Sequence, residues 1–149
     1  MRAKNKNRRL ARQSAIHRIL FFIQIVYNSC NMNIPTQIII FGITGDLSRQ
    51  KILPSLFSLY CEGRLPEKLS IVGFSRRDFS KRDIEDFVRA ILPEHERRED
   101  FIKLFSYMKG DFSYLQSYVQ LKEHVERIDL SFFQCSNKLY YLSVAPLYY

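Results

Sequence analysis

Two glycines and a pair of arginines are the residues whose types and spacing could bind a phosphate-containing ligand. Gly42 and Gly45 directly follow the apolar run Gln37–Phe41, and the helix-like segment Asp46–Cys61 begins immediately after them. Glycines at a strand-to-helix turn let the chain turn tightly, and they let a pyrophosphate approach the backbone amides without a Cβ in the way. Two glycines at this spacing also suit an ordinary tight turn, so this pattern alone leaves both interpretations open.

The arginines follow the second apolar run of the chain. Leu69–Phe74 ends at Ser75-Arg76-Arg77. In dinucleotide-binding folds the residue after the second strand meets the adenosine ribose, where an acid pairs with a free 2′-hydroxyl and an arginine accommodates a 2′-phosphate. A guanidinium group can bond phosphate in a bidentate manner and stays charged. The arginines therefore favour NADP over NAD, although a solvated loop would show the same residues.

The elements that must position these residues alternate between strands and helices. The run Gln37–Phe41 is apolar at nearly every position, which is typical of a parallel strand covered on both faces. Apolar residues recur with helical spacing from Asp46 to Cys61, which predicts a helix. Pro54 should limit or kink the early part of this helix. Ser80 and Asp83 form a capping box for a helix that stops at Pro93.

The second half of the chain continues the alternation. We expect a charged helix from Glu94 to about Leu104, a short strand or loop over Phe105–Phe112, a helix capped by Ser113 and running to about Ile128, and a strand over Lys138–Val144. The order β-α-β-α-(α)-β-α-β predicts an α/β fold with a Rossmann-like, doubly wound parallel sheet.

The positive charge of the chain is concentrated at its start. The net charge is +8, but residues 1–31 contain seven of the 23 basic residues and none of the 15 acidic ones. The remainder, with 16 basic and 15 acidic residues, is nearly neutral, so we expect no nucleic-acid partner for it.

Residues 1–31 form a basic leader that is open to several interpretations. Its apolar run Ile19–Tyr27 resembles the core of a signal peptide, but no small-residue cleavage site follows and the run is too short to span a bilayer. A transit peptide, an amphipathic surface helix, a disordered segment, or upstream sequence before a true start at Met32 would also fit. We expect no stable membrane span.

The cysteines and histidines do not form a recognisable metal or disulfide pattern. The cysteines are odd in number and lack CxxC spacing, which indicates a reducing, cytoplasmic compartment. His95 and His124 fall in predicted helical segments away from the expected cleft, so neither is assigned as a catalytic base. No metal site is expected.

Five short blocks of the sequence share their order and spacing with one known family. The blocks are Phe41–Ser48, Lys51–Pro54, Glu62–Pro66, Ile71–Arg76 and Lys138–Pro146. They resemble the N-terminal coenzyme domain of glucose-6-phosphate dehydrogenase, and the resemblance runs from about residue 36 to the last residue. The G-x-x-G-D-L element with its following K-x-x-P is specific to that family, and the final block ends in Ala-Pro, as in some bacterial members.

The resemblance implies a role for each matching residue. The segment Gly42–Ser48 would wrap the pyrophosphate, Thr44 and Arg76 would lie near the 2′-phosphate, and Lys51 would assist from the helix. Val144 and the residues after it would line the nicotinamide side. Because threonine at position 44 occurs in members that also accept NAD, NADP is expected and NAD stays open. The implied cofactor-binding residues are Gly42, Ile43, Thr44, Gly45, Asp46, Leu47, Ser48, Lys51, Arg76, Ala145, Pro146 and Tyr149.

The family reaction oxidises glucose 6-phosphate to 6-phosphoglucono-lactone, passes a hydride to NADP and opens the pentose phosphate pathway. The reaction needs a general base and cationic groups for the sugar phosphate. The family supplies these from E-K-P and R-I-D-H-Y-L-G-K blocks, which this sequence lacks. We therefore expect residues 32–149 to be a partial Rossmann domain, incomplete at its C-terminus, without catalytic residues and inactive alone. The large domain for substrate binding and oligomerisation would be absent.

Two other function classes remain open from the residues. One is a non-catalytic dinucleotide-binding module. The other is a membrane-surface or polyanion-binding protein that acts through the basic leader.

Overall fold

The described part of the chain is residues 34–144 of a computed structural model, and these residues belong to one compact unit. The expectations for residues 1–31, and for Ala145, Pro146 and Tyr149, lie outside the described residues. No helix within residues 34–144 combines the length and the apolar character that crossing a membrane requires.

A single parallel sheet organises residues 34–144 and confirms the predicted fold class. Its order is β3-β2-β1-β4, so β1 lies between two neighbours and pairs in register with both. In β1 the side chains of Ile38, Ile39 and Ile40 are all buried, as the continuous apolar run predicts. The strands are β1 Thr36–Phe41, β2 Leu69–Ser75, β3 Phe105–Lys109 and β4 Asn137–Leu142.

Helices cover both faces of this sheet. On one face, Leu121 and Val125 pack with Ile39, Phe41 and their neighbours in a single apolar cluster. On the other face, the centroid of the Phe101 ring lies 5.3 Å from the ring centroid of Phe57 and 5.3 Å from that of Phe105. The helices are α1 Leu53–Cys61, α2 Lys81–Ile91, α3 Arg98–Ile102 and α4 Leu115–Phe132.

The helical segment after β1 contains a wide turn immediately before its proline. Helical geometry begins at Asp46, and Ser48–Ile52 forms a π-helical turn in which the Leu53 N–H donates to the Ser48 carbonyl. Pro54 cannot donate to the carbonyl four residues earlier, and its ring would clash with that carbonyl in a regular α-helix. The wider turn accommodates the ring, so the helix continues to Cys61 instead of breaking.

One predicted cap is confirmed and another is wrong. Ser80 Oγ accepts from the Asp83 N–H at 3.2 Å, and the Asp83 carboxylate accepts from the Ser80 N–H at 2.8 Å. Ser113, however, does not cap α4, which begins at Leu115 and extends to Phe132. Its own N–H donates to Asp111 Oδ1 at 2.8 Å, so Ser113 belongs to a local turn preceding the helix.

A buried polar cluster ties the start of β1 to α4 and β4. The fully buried Gln37 donates to Asp129 Oδ1 at 2.8 Å, and Ser136 Oγ donates to the same oxygen at 2.6 Å. Lys138 Nζ lies 2.6 Å from Asp129 Oδ2. Desolvation of Asp129 opposes its ionisation, but the hydrogen bonds from Lys138, Ser136 and Gln37 together outweigh it and lower its pKa to about 2.

Acid should remove the stabilisation that Asp129 provides. Its folded pKa lies below its unfolded value, so the contribution is complete above about pH 4 and is lost as the pH falls towards 2. We expect Asp129→Asn to lower the free energy of unfolding at pH 7 by roughly 1–2 kcal/mol. The deficit should shrink at pH 3, as measured by urea denaturation. Asp100→Asn, which breaks an exposed pair with Lys103, is the control and should cost less than about 0.5 kcal/mol.

Candidate functional site

The turn at the end of β1 can be made only by glycine. Gly42 has a φ of +75°, and its N–H donates to the Phe74 carbonyl at 2.8 Å. A Cβ at this position would lie 2.3 Å from the Ser143 carbonyl oxygen and 3.1 Å from a methyl group of Val144. Gly42 therefore lets the end of β1 fit between the ends of β2 and β4.

The same turn presents the first amides of a helix to the edge of the sheet. The Gly42 carbonyl accepts from the Gly45 N–H at 2.9 Å and from Ser48 Oγ at 3.1 Å. The Arg49 N–H then donates to the Gly45 carbonyl at 3.0 Å. In a helix that begins here, the amides of residues 46–48 have no intrahelical acceptor, and they point towards a site where an anion is favoured.

A cleft of about 450 Å³ opens above this turn. Its walls come from the segments that follow all four strands, as expected for ligand sites at the carboxyl ends of a parallel sheet. Arg76 and Arg77 are both exposed and bring positive charge to the β2 side. The lining residues are Gly42, Thr44, Gly45, Ser75, Arg76, Arg77, Phe112, Ser143 and Val144.

The structure brings four of the predicted cofactor residues into the cleft lining. These are Gly42, Thr44, Gly45 and Arg76. The other predicted cofactor residues in the described range do not line the cleft. Ile43 is fully buried in the core, Leu47 is exposed, and the Ser48 hydroxyl is bonded to the Gly42 carbonyl. Any contact that Ile43 or Ser48 made with a ligand would therefore come from the backbone.

Asp46 and Lys51 lie to the side of the cleft. Asp46 lines a separate depression with Arg49 and Ala90, between the start of the first helical segment and the end of α2. Lys51 is half-buried within the π-helical turn. Neither side chain lines the cleft, so the roles that the resemblance implies for them stay predictions.

Ser75, Phe112 and Ser143 line the cleft but were not among the predicted site residues. Ser143 is notable because its Oγ is buried and has no hydrogen-bond partner among residues 34–144, an arrangement that is costly unless another group completes it. Ligands bind beyond the carboxyl ends of parallel strands. Ser75 and Ser143 could have been predicted on this ground, since Ser75 ends β2 and Ser143 directly follows β4. Phe112 has no such signal, since it lies in an irregular segment whose path the sequence does not define.

His95 and His124 lie outside this cleft, as predicted, although the local structure of His95 differs from the prediction. His95 lies in the loop before α3 rather than in a helix, with Nδ1 3.6 Å from Cys61 Sγ. His124 lies in α4, with Nε2 3.0 Å from Ser106 Oγ. Burial and the nearby Arg127 lower the pKa of His124.

Comparisons with known proteins agree on one family. Residues 39–149 match the family model described as "Glucose-6-phosphate dehydrogenase, NAD binding domain". Glucose-6-phosphate 1-dehydrogenase from Leuconostoc mesenteroides is 36% identical over 120 residues, which cover 78% of this chain and 25% of that protein. Glucose-6-phosphate 1-dehydrogenase 2 from Mycobacterium bovis is 34% identical over 119 residues, covering 75% and 23%.

The likeness extends to three-dimensional structure. A solved structure of glucose-6-phosphate dehydrogenase in complex with its substrate glucose-6-phosphate superposes with a TM-score of 0.72 at 30% identity. The superposition covers 78% of this chain and 26% of that one. The chain spans about a quarter of the length of the curated relatives it matches.

Replacing Gly42 should test how tightly the turn is packed. We expect Gly42→Ala to lower the free energy of unfolding by about 3 kcal/mol or more, because positive φ and a clash with the Ser143 carbonyl act together. Gly63→Ala is a matched control, since Gly63 also has positive φ, +67°, but a Cβ there meets nothing within 4 Å. That control should cost only about 1–2 kcal/mol. Equal losses in urea denaturation would contradict the packing argument.

Proposed function

Because the chain belongs to the glucose-6-phosphate dehydrogenase family, in its NAD-binding domain, we propose that it binds NADP in the cleft at the carboxyl edge of its sheet. The proposal rests on one observation: the glycine turn, Gly42–Gly45, and the arginine loop, Arg76 and Arg77 after β2, line the same cleft. The bound pyrophosphate would lie on the turn and the adenosine ribose beside the arginines.

The turn fits a pyrophosphate in both shape and charge. Without side chains at Gly42 and Gly45, a phosphate oxygen can come within hydrogen-bonding distance of the backbone amides that begin the helix. The helix dipole adds a favourable positive potential at the same place. Ser48 supports this arrangement indirectly, because its hydroxyl holds the Gly42 carbonyl at 3.1 Å and so fixes the turn.

The loop after β2 favours a 2′-phosphate over a free 2′-hydroxyl. Arg76 and Arg77 occupy the place where an NAD-binding domain would present an acid to the ribose. The nearest acid on this loop, Asp78, forms an ion pair with Lys109 at 2.7 Å. A charge-assisted hydrogen bond from guanidinium to phosphate is therefore the interaction that this loop offers.

The β4 side of the cleft fits the nicotinamide end of the cofactor. Val144 supplies an apolar contact, and the Ser143 hydroxyl, which has no partner within the described part of the chain, offers a hydrogen bond. We propose that Ala145, Pro146 and Tyr149 continue this wall. When bound, the nicotinamide ring accepts a hydride, and the residues around it orient the ring and exclude water.

The curated relatives are named for the oxidation of glucose 6-phosphate. We propose that this chain, with residues 32–149 as its dinucleotide-binding portion, provides the coenzyme site for the same reaction. The described residues supply cofactor contacts, and no general base for the sugar is assigned among them.

Substituting Arg76 should lower the affinity for NADP but not the affinity for NAD. We expect Arg76→Ala to weaken NADP binding by about 1–3 kcal/mol, the range of a hydrogen bond to a charged group. NAD affinity should change little, because NAD has no 2′-phosphate. Isothermal titration calorimetry of both ligands provides the measurement. Arg127→Ala on the exposed surface of α4 should leave both affinities unchanged. Failure of the wild-type chain to bind either dinucleotide would refute the proposed function.

A further inference from the structure

A chain of hydroxyl groups lies beneath the loop that carries Arg76. Thr44 Oγ1 is 3.3 Å from Ser75 Oγ, which is 2.8 Å from the hydroxyl of Tyr107. The Tyr107 hydroxyl in turn lies 2.6 Å from the carbonyl oxygen of Arg77. The chain thus connects the glycine turn after β1 with the loop after β2 by way of a side chain from β3.

The shortest contact sets the direction of these hydrogen bonds. A tyrosine hydroxyl has one proton to donate, and a carbonyl oxygen can only accept. The Tyr107 proton faces two carbonyl oxygens, that of Arg77 at 2.6 Å and that of Ser75 at 3.1 Å, and we assign it to the shorter contact. The Tyr107 hydroxyl then accepts from Ser75 Oγ, which accepts from Thr44 Oγ1. A tyrosine hydroxyl is protonated at neutral pH, and burial raises the pKa of Tyr107 further.

The position of the Tyr107 ring is fixed by packing. Tyr107 pairs with Gly73 across the sheet, and a Cβ on Gly73 would lie 3.3 Å from the tyrosine ring and 2.7 Å from Ile43. The ring of Phe79 lies 5.5 Å away on the side of the loop. Because the ring is held in this way, its hydroxyl meets Ser75 and Arg77 at a defined point.

This arrangement holds the backbone on both sides of Arg76. Ser75 is held through its hydroxyl and is buried, whereas Arg77 is held through its carbonyl. A loop that becomes ordered when its arginine binds a phosphate loses backbone conformational entropy. Fixing the backbone in advance avoids that part of the cost and improves affinity without a new contact to the ligand.

We propose that Tyr107 is a positioning residue that sets the preference of this site for a dinucleotide with a 2′-phosphate over one with a free 2′-hydroxyl. The inference rests on the proposed function, because it explains how the arginine loop is held in place for its proposed role. Tyr107 would act through Ser75 and Arg77 rather than by touching the ligand.

The test compares two fragments of the coenzyme that differ only in the 2′-phosphate, namely 2′,5′-ADP and 5′-AMP. We expect Tyr107→Phe in the full chain to weaken 2′,5′-ADP binding about tenfold while 5′-AMP changes less than about twofold, as calorimetry would measure. Tyr60→Phe is the matched control. Tyr60 is half-buried on α1 and its ring lies against Phe101, so neither affinity should change.

A double-mutant cycle separates positioning from general destabilisation. In an Arg76→Ala background, Tyr107→Phe should cause no further loss of preference for 2′,5′-ADP, because the residue that it positions is gone. Equal weakening of both fragments by Tyr107→Phe, or an unchanged preference, would overturn the inference while leaving the proposed function intact. Failure of the wild-type chain to bind either fragment or NADP would instead refute the proposed function.

A second variant covers the case in which Tyr107→Phe does not fold. Ser75→Ala removes the hydroxyl between Thr44 and Tyr107 but keeps the Tyr107 bond to Arg77. It should weaken 2′,5′-ADP selectively, by about twofold to fivefold. An equal effect on both fragments would count against the role of this hydroxyl chain.

Discussion

The close approach of the Ser143 carbonyl to the Cα of Gly42 is the constraint on which the site depends. It arises because β1 lies between β2 and β4, so the chain leaving β1 must turn within the space between two neighbouring strand ends. Only a residue without a Cβ fits there, and only a residue that tolerates positive φ completes the turn. The glycine turn that lines the cleft is thus also the turn that lets β1 pack between its two neighbours.

The opposite end of β1 is fixed by polar rather than steric means. Gln37 is fully buried and bonds to Asp129 of α4 and to Ser136 just before β4. Its amide oxygen has no hydrogen-bond partner among the described residues, which costs free energy, but the cluster joins β1, α4 and β4 at one point. The central strand is therefore anchored at its start by hydrogen bonds and at its end by close packing.

The sequence was sufficient for the features that depend on local chemistry and apolar periodicity. The apolar run of β1, the glycine turn and the Ser80 capping box each follow from residues adjacent in the chain, and the structure shows all three. The features that it missed depend on distant partners. Gln37 within an apolar strand is explained by its hydrogen bonds to Val125, Asp129 and Ser136, which are at least 88 residues later in the chain. The position of Tyr107 is explained by its strand pairing with Gly73.

Some errors had local causes that periodicity cannot resolve. Ser113 has the side chain of a good cap, but Asp111 accepts its N–H and the helix begins two residues later. A serine that can either cap or turn is decided by its competing neighbours. For Pro54 the expectation of a limit or kink in the early part of the helix agrees with the structure, since the regular α-helix begins only at Leu53, but the sequence did not predict the π-helical turn that precedes it. Both outcomes depend on small differences between backbone conformations of similar energy.

The cleft is lined by residues at the ends of all four described strands. The set of side chains that lines it therefore depends on the register of the sheet. Gly42 follows β1, Arg76 follows β2, Phe112 comes after β3 and Ser143 follows β4. A shift of one residue in any pairing would move side chains to the opposite face and separate these groups. The apolar core and the buried cluster at Gln37 fix that register. The arrangement of the residues that line this cleft therefore depends on packing throughout the domain.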